Sequence, residues 1–289
     1  MKKQTKKSII IRKPKTVLKL EAKVIKDIFM LFLALNAVGY NDENNKKGMH
    51  PVRKKARNIL QKYNWNQKYP YFKKIFKKTD PWYLIRAILK KHENIKRIKT
   101  PNNYFVLNLK KFAKEPLVKK TWKVLKDYHL KEAKKIFPLF KKETIRITTF
   151  INVPPKKLKK VVLVVSLLDA FWRGYGLKIQ NTGYIVAGPG AEKNHGELIR
   201  HEVLHVLAPQ YRIPSRFTSE KDHQRAVRLG YAGRSIIRRE YIILGLNLIY
   251  ESEILKKNIS KAIKNEEKDF PHIRRVMEFI KRKIKGDHL

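Results

Sequence analysis

The chain has 289 residues, of which 43% are hydrophobic and 10% aromatic, enough for a packed core, so a wholly disordered protein is excluded. Lys and Arg total 68 against 24 Asp and Glu, a net charge of +44 that predicts attraction to phosphate, anionic lipid headgroups or acidic proteins. Cysteine is absent, which excludes disulfides, thiolate zinc fingers and thiol catalysis and leaves His and carboxylate to hold any metal.

The first twenty residues carry eight basic side chains and no acid. The Ile-Ile-Ile core of Ser8–Arg12 predicts a short strand ended by Pro14. Val17 to Ala37 reads as one helix, with Leu20, Val24, Ile28, Leu31 and Leu35 near a 3.6-residue period. Its apolar run, Ile28–Leu35, is far short of the ~20 residues that span a bilayer, and no small-residue cleavage site follows it. A buried helix and a cytoplasmic location are the expectation. Polar Asn41–Gly48 reads as a loop, and Pro51 opens a helix toward Tyr63. Tyr69–Lys91 is aromatic and basic and is broken at Asp80-Pro81, while Asn102–Ala113, Pro116–Lys126 and Leu130–Phe140 read as three amphipathic helices.

The texture changes at Thr144. The β-branched stretch Thr144–Val153 predicts a strand, and the apolar runs Val161–Leu168 and Gly183–Gly188 predict two more. Helical spacing returns at Leu198–Leu207, Ser235–Lys256 and Asp269–Lys285. The order of helices, a few strands, then helices predicts an α+β fold. The expected organisation is a basic segment 1–16, a mainly helical region 17–143 and a metal-binding region 144–289, the last two forming one continuous globular unit.

The chemistry-bearing motif is His201-Glu202-Val203-Leu204-His205. On a helix, positions i and i+4 share a face, so both imidazoles can meet one ion. Glu202 leaves the helix about 100° from His201, where it can reach a water on that ion without being a ligand. Two neutral imidazoles and a carboxylate suit Zn²⁺. Nine His and sixteen Glu in this length would produce the bare pattern by chance roughly 0.015 times. The flanking Ile199, Val203, Leu204, Val206 and Leu207 also mark a buried helix, and burying His and Glu there needs a reason.

Catalytic zinc takes three protein ligands. A long-spaced third His of the HExxHxxGxxH type is absent, since the Gly and His places of that pattern hold Ala208 and Tyr211. The candidates are Glu220, Glu240, Glu251 and Glu253. Glu240 is preferred because it precedes Tyr241-Ile-Ile-Leu-Gly-Leu, where a carboxylate is costly to bury unless paired or metal-bound, and Glu251 is second. The oxyanion of the reaction needs a further donor. Tyr211, His223, Tyr231 and Tyr241 are available, with Tyr231 and His223 favoured. His195 is too far round to share the face of His201 and is expected to precede or cap its helix.

His201-Glu-Val-Leu-His205 with a Glu on a second helix resembles the gluzincin branch of the zincin metallopeptidases. More narrowly, the chain resembles a group of prokaryotic metalloproteases in which an N-terminal helical region precedes a small mixed sheet, the HExxH helix and a Glu-bearing helix. Leu18–Leu35, His50-Pro51-Val52 and Arg239-Glu240-Tyr-Ile-Ile-Leu-Gly245 carry that likeness. The resemblance implies a zincin-like α+β fold with C-terminal helices, zinc held by His201, His205 and Glu240, and Glu202 as the base in peptide hydrolysis. It also implies that the strand ahead of the metal helix, Gly183–Gly188, is a sheet edge that takes an extended peptide or protein substrate by strand addition. The chain departs from the gluzincin pattern in placing Arg239, where Asn is frequent, before the ligand Glu.

Two other readings compete with an active zinc peptidase. One is a nucleic-acid-binding protein, in which Lys pairs such as Lys73-Lys74 and Lys77-Lys78 track phosphates and Trp65, Tyr69, Tyr71, Phe72 and Phe76 stack on bases. The other is an inactive zincin scaffold. Each accommodates an anionic partner, whether nucleic acid, acidic protein or membrane surface, and none fixes the oligomeric state.

Overall fold

The computed structural model describes residues 18–40, 48–76, 79–93, 102–151, 158–193, 196–208, 213–217, 220–228 and 234–285. Among these, the chain is mixed α/β, with twelve α-helices and one four-stranded mixed sheet. Two compact units are formed. One is drawn from Leu18–Glu143 and Lys157–Val206, and the other takes its described residues from Thr144–Lys156 and Leu207–Leu289.

The first unit contains β1 (Lys19–Lys23), α1 (Lys26–Ala37), α2 (Pro51–Leu60), α3 (Trp65–Lys68), α4 (Pro70–Phe76), α5 (Pro81–His92), α6 (Asn102–Phe112), most of α7 (Pro116–Ile151), β2 (Lys160–Val165), β3 (Gly174–Ile179), β4 (Thr182–Ala187) and nearly all of α8 (Glu197–Leu207). Helix α1 is its centre. Every residue from Ile28 to Asn36 is buried, as expected of a helix that is apolar all round. Asn36, the polar member, is fully used. Its amide donates to the carbonyls of Phe32 and Leu168 at 2.7 and 2.8 Å, and its oxygen accepts from Arg53 and Arg57 at 2.7 and 2.9 Å. This bonding removes the penalty of a buried unpaired amide and ties α1 to α2 and to the turn after β2. Helix α5 starts where Asp80-Pro81 predicted a break. The Asp80 carboxylate accepts from Trp82 N at 2.7 Å, a side-chain cap followed by proline in the first turn.

The sheet order is β1-β2-β4-β3. The β1–β2 and β2–β4 pairs are parallel, and β3 runs antiparallel to β4 through a two-residue turn in which Gln180 has φ of +51°. Strands β2 and β4 are buried almost throughout, consistent with their near-continuous apolar sequences.

The second unit contains the end of α7, α9 (Glu220–Arg228), α10 (Arg234–Glu253), α11 (Ser260–Glu266) and α12 (Ile273–Lys285). Helices α10 and α12 approach closely at Gly245, where a Cβ would stand 2.9 Å from Ile280 Cδ1.

Several expectations are corrected. Residues 17–37 are not one helix. Leu18-Lys-Leu-Glu-Ala-Lys23 alternates with period two, and Lys19–Lys23 of it pairs with β2 as β1, so only the second half of the stretch is helical. Thr144–Val153 is not a strand, because α7 continues through Ile151. Glu143, Thr144, Ile147, Thr148 and Ile151 are buried at helical spacing, and the hydroxyls of Thr148 and Thr149 donate to the carbonyls four residues back at 2.7 and 3.0 Å. Tertiary burial thus overrides β-branched propensity there. The two helices expected at 116–126 and 130–140 are the same α7, which carries Pro138 within it. Gly183–Gly188 is a strand but not an edge, since β4 lies between β2 and β3. The expected strand at 8–12 and most of the loop at 41–48 lie outside the described residues. No described helix is long and apolar enough to cross a membrane.

Candidate metal centre

Helix α8 is seated on the sheet through glycines. A Cβ at Gly174 on β3 would stand 2.6 Å from Glu202 Cγ and 2.8 Å from its Oε1. A Cβ at Gly176 would collide with the Glu202 carbonyl and approach His205 Cβ to 2.6 Å, and one at Gly183 on β4 would collide with Val206. Glycine inside a strand is otherwise unfavourable, and here it permits close approach of a helix backbone. With Gly at these places, Ile199, Val203, Leu204, Val206 and Leu207 bury completely or nearly so. Arg200 buries as well, beside the equally buried Glu143 of α7 at 3.7 Å. A lone buried charge would be strongly destabilising, so this pair fixes the rotation of α8 about its axis.

That rotation leaves His201 and His205 half-buried, with their Nε2 atoms 3.1 Å apart. Two nitrogens bound to one tetrahedral zinc at 2.0–2.1 Å would be separated by about 3.3 Å. The imidazoles therefore stand at the spacing that a shared ion requires. A hydrogen bond between one protonated and one bare ring nitrogen would have a similar length. Glu202, between them in sequence, is 5% exposed.

Glu240 is on the second turn of α10, 8% exposed. One ligand atom from each of His201, His205 and Glu240 lies within 4.8 Å of the other two. The donor set is chemically suited to zinc: two imidazoles and one carboxylate, with no thiolate. Of the other candidates, Glu251 is buried at the far end of α10 and takes an ion pair from Lys257 at 3.1 Å, which accounts for its burial. Glu220 begins α9 and is exposed, and Glu253 ends α10. Arg239, the departure from the gluzincin pattern, donates to the Ala208 carbonyl at 3.3 Å. Burial lowers its pKa, and the neighbouring Glu240 charge opposes that shift.

Among the expected oxyanion donors, Tyr231 and Tyr211 lie outside the described residues, as does His195. His223 is on α9, half-buried, with a buried Nδ1 that has no hydrogen-bond partner among the described residues. Tyr241 is buried against Phe270, ring centroids 5.0 Å apart, and its hydroxyl accepts from His272 N at 3.5 Å. Sequence reasoning missed Gly174 and Gly176. The signal available was the Gly-Tyr-Gly spacing, two glycines on one face of a strand.

No family model, curated protein or solved structure matches this chain.

Proposed function

We propose that the protein is a zinc-dependent peptide hydrolase with a zincin-like arrangement of the gluzincin type. The observation that carries this reading is the grouping of His201, His205 and Glu240 with Glu202 on the same helix as the two imidazoles. His201 and His205 would hold the ion through Nε2, and Glu240 through a carboxylate oxygen. When bound, Zn²⁺ polarises a scissile carbonyl and lowers the pKa of water toward 7. Glu202 does the proton work. Its carboxylate takes a proton from the attacking water as the oxygen–carbon bond forms, and delivers it to the amine nitrogen as the carbon–nitrogen bond breaks. The strand-addition role first expected of residues 183–188 passes to β3, a sheet edge whose Gly174 and Gly176 adjoin Glu202 and His205.

The test is metal content by mass spectrometry with hydrolysis of a quenched-fluorescent peptide library. Wild type is expected to hold one zinc per chain and to cleave. Glu202→Gln should keep the zinc and lose activity by roughly 10²–10⁴-fold. A Glu202→Gln variant with full activity, or a wild-type protein that takes up no zinc, overturns the proposal.

A further inference from the structure

A groove of about 480 Å³ runs beside α2 and the start of α7, both in the first unit. Its floor is aliphatic: Ile59 from α2, and Leu117 and Val124 from α7. Its rim carries four ammonium groups, Lys54, Lys55, Lys62 and Lys120, and no carboxylate lines it. None of the four makes an ion pair among the described residues. The apolar strip continues along α7. Leu117, Val124 and Tyr128 share one helical face, Val124 is 39% and Tyr128 46% exposed, and Lys55 Nζ stands 5.4 Å from the Tyr128 ring. From Pro51 to Ile59 the groove follows about 12 Å of α2, a little over two helical turns.

We propose that this groove docks an acidic amphipathic helix of another protein, its apolar side chains on Ile59, Leu117 and Val124 and its carboxylates against the four lysines. Floor and rim chemistry together select this occupant. An aliphatic floor accepts side chains spaced three and four residues apart, and an unpaired cationic rim complements Asp and Glu flanking that stripe. Nucleic acid matches the rim but not the floor, since base stacking wants aromatic planes. Three of the five aromatic residues first expected to stack on bases are spent elsewhere, while Tyr71 and Phe76 are half-buried. Trp65, Tyr69 and Phe72 are buried around Phe112, with centroid separations of 5.3 to 5.7 Å. A second copy of this chain is disfavoured by its own charge of +44. The proposal is independent of the peptidase reading, because it needs no metal and uses none of the candidate metal residues.

The experiment measures fluorescence anisotropy of a labelled 16-residue peptide, leucine at alternating three- and four-residue spacing and glutamate between, at 150 mM NaCl. The comparison peptide is a scrambled isomer of equal composition and charge. The patterned peptide is expected to bind wild type at least tenfold more tightly than the isomer. Val124→Asp and the double change Lys54→Glu with Lys120→Glu should each weaken it at least tenfold. Lys73→Glu with Lys74→Glu, exposed on α4 away from the groove, should stay within about twofold. Circular dichroism checks that each variant keeps its helices, and the peptide comparison needs no variant at all. Equal binding of the two peptides overturns the proposal, as does indifference to Val124→Asp. So does a 16-base-pair duplex that displaces the peptide and is weakened by the same substitutions, which would assign the groove to nucleic acid.

Discussion

Helix α8, in one unit, lies on a sheet whose strands supply the glycines for its close approach. Helix α10, in the other, carries its own glycine, Gly245, against α12. The obstacles differ in kind. A Cβ at Gly176 would meet the Glu202 backbone carbonyl, whereas one at Gly245 would meet the far end of the Ile280 side chain. At Gly176 the helix with the two imidazoles thus meets the strand backbone to backbone, whereas at Gly245 the helix with the carboxylate meets a side chain that can repack.

The largest expected effect tests the donor set itself. His201→Ala, His205→Ala and Glu240→Ala should each weaken zinc by more than about 100-fold in competition with a chelator, since even outer-sphere partners are worth 10–100-fold. Glu251→Gln should leave zinc binding unchanged. If Glu251→Gln removes the metal and Glu240→Ala does not, the third ligand has been misassigned.

Next in size is an acid sensitivity in the first unit. His129 on α7 is buried against Phe29, ring centroids 5.0 Å apart, and burial depresses its pKa to about 4 from the usual 6.5. The unfolded chain binds this proton first. Native stability is therefore complete above pH 6.5 and is lost as pH falls toward 4, by about 3 kcal/mol in all. Buried Asp169 works in the opposite sense, its pKa raised to about 6. The quantity to measure is thus the urea stability of wild type minus that of His129→Leu between pH 7 and 4. A difference that does not change with pH sinks the assignment.

The glycine contrast supplies the two smaller effects. Gly176→Ala should cost about 1–3 kcal/mol in denaturant unfolding, because neither strand nor helix backbone can yield. Gly245→Ala should change stability by under about 1 kcal/mol, the gain in helix propensity offsetting the displacement of Ile280. Equal costs at the two positions would remove the distinction between the helices.

Much of this was legible in the residues, though unevenly. The helices around His201, Glu240 and Met277 followed from apolar spacing, and β2 and β4 from short apolar runs between Pro and Gly. Strand β3 escaped notice because Gly174 and Gly176 have poor strand propensity, and their value lies in what they leave room for. Residues 144–151 were misread because Thr and Ile favour strands locally, while the buried face they share with the rest of α7 favours helix. Trp65, Tyr69 and Phe72 suggested a nucleic-acid surface and turned out to be core. Sequence spacing alone does not separate a stacking platform from an aromatic cluster.

What the chain determines without its fold is whatever acts within one helical turn: the paired imidazoles at 201 and 205, the intervening Glu202, the Asp80 cap and the burial of α1. What the tertiary structure decided is everything that joins distant residues. Lys19 became a strand residue through its partner Lys160, β4 became an interior strand by acquiring β3 at its side, and Glu240 rather than Glu251 came to lie with the imidazoles. The physical reason is range. Helical geometry repeats every 3.6 residues and is written in neighbouring side chains, whereas strand pairing and the grouping of distant side chains arise only after the chain has closed loops of tens of residues.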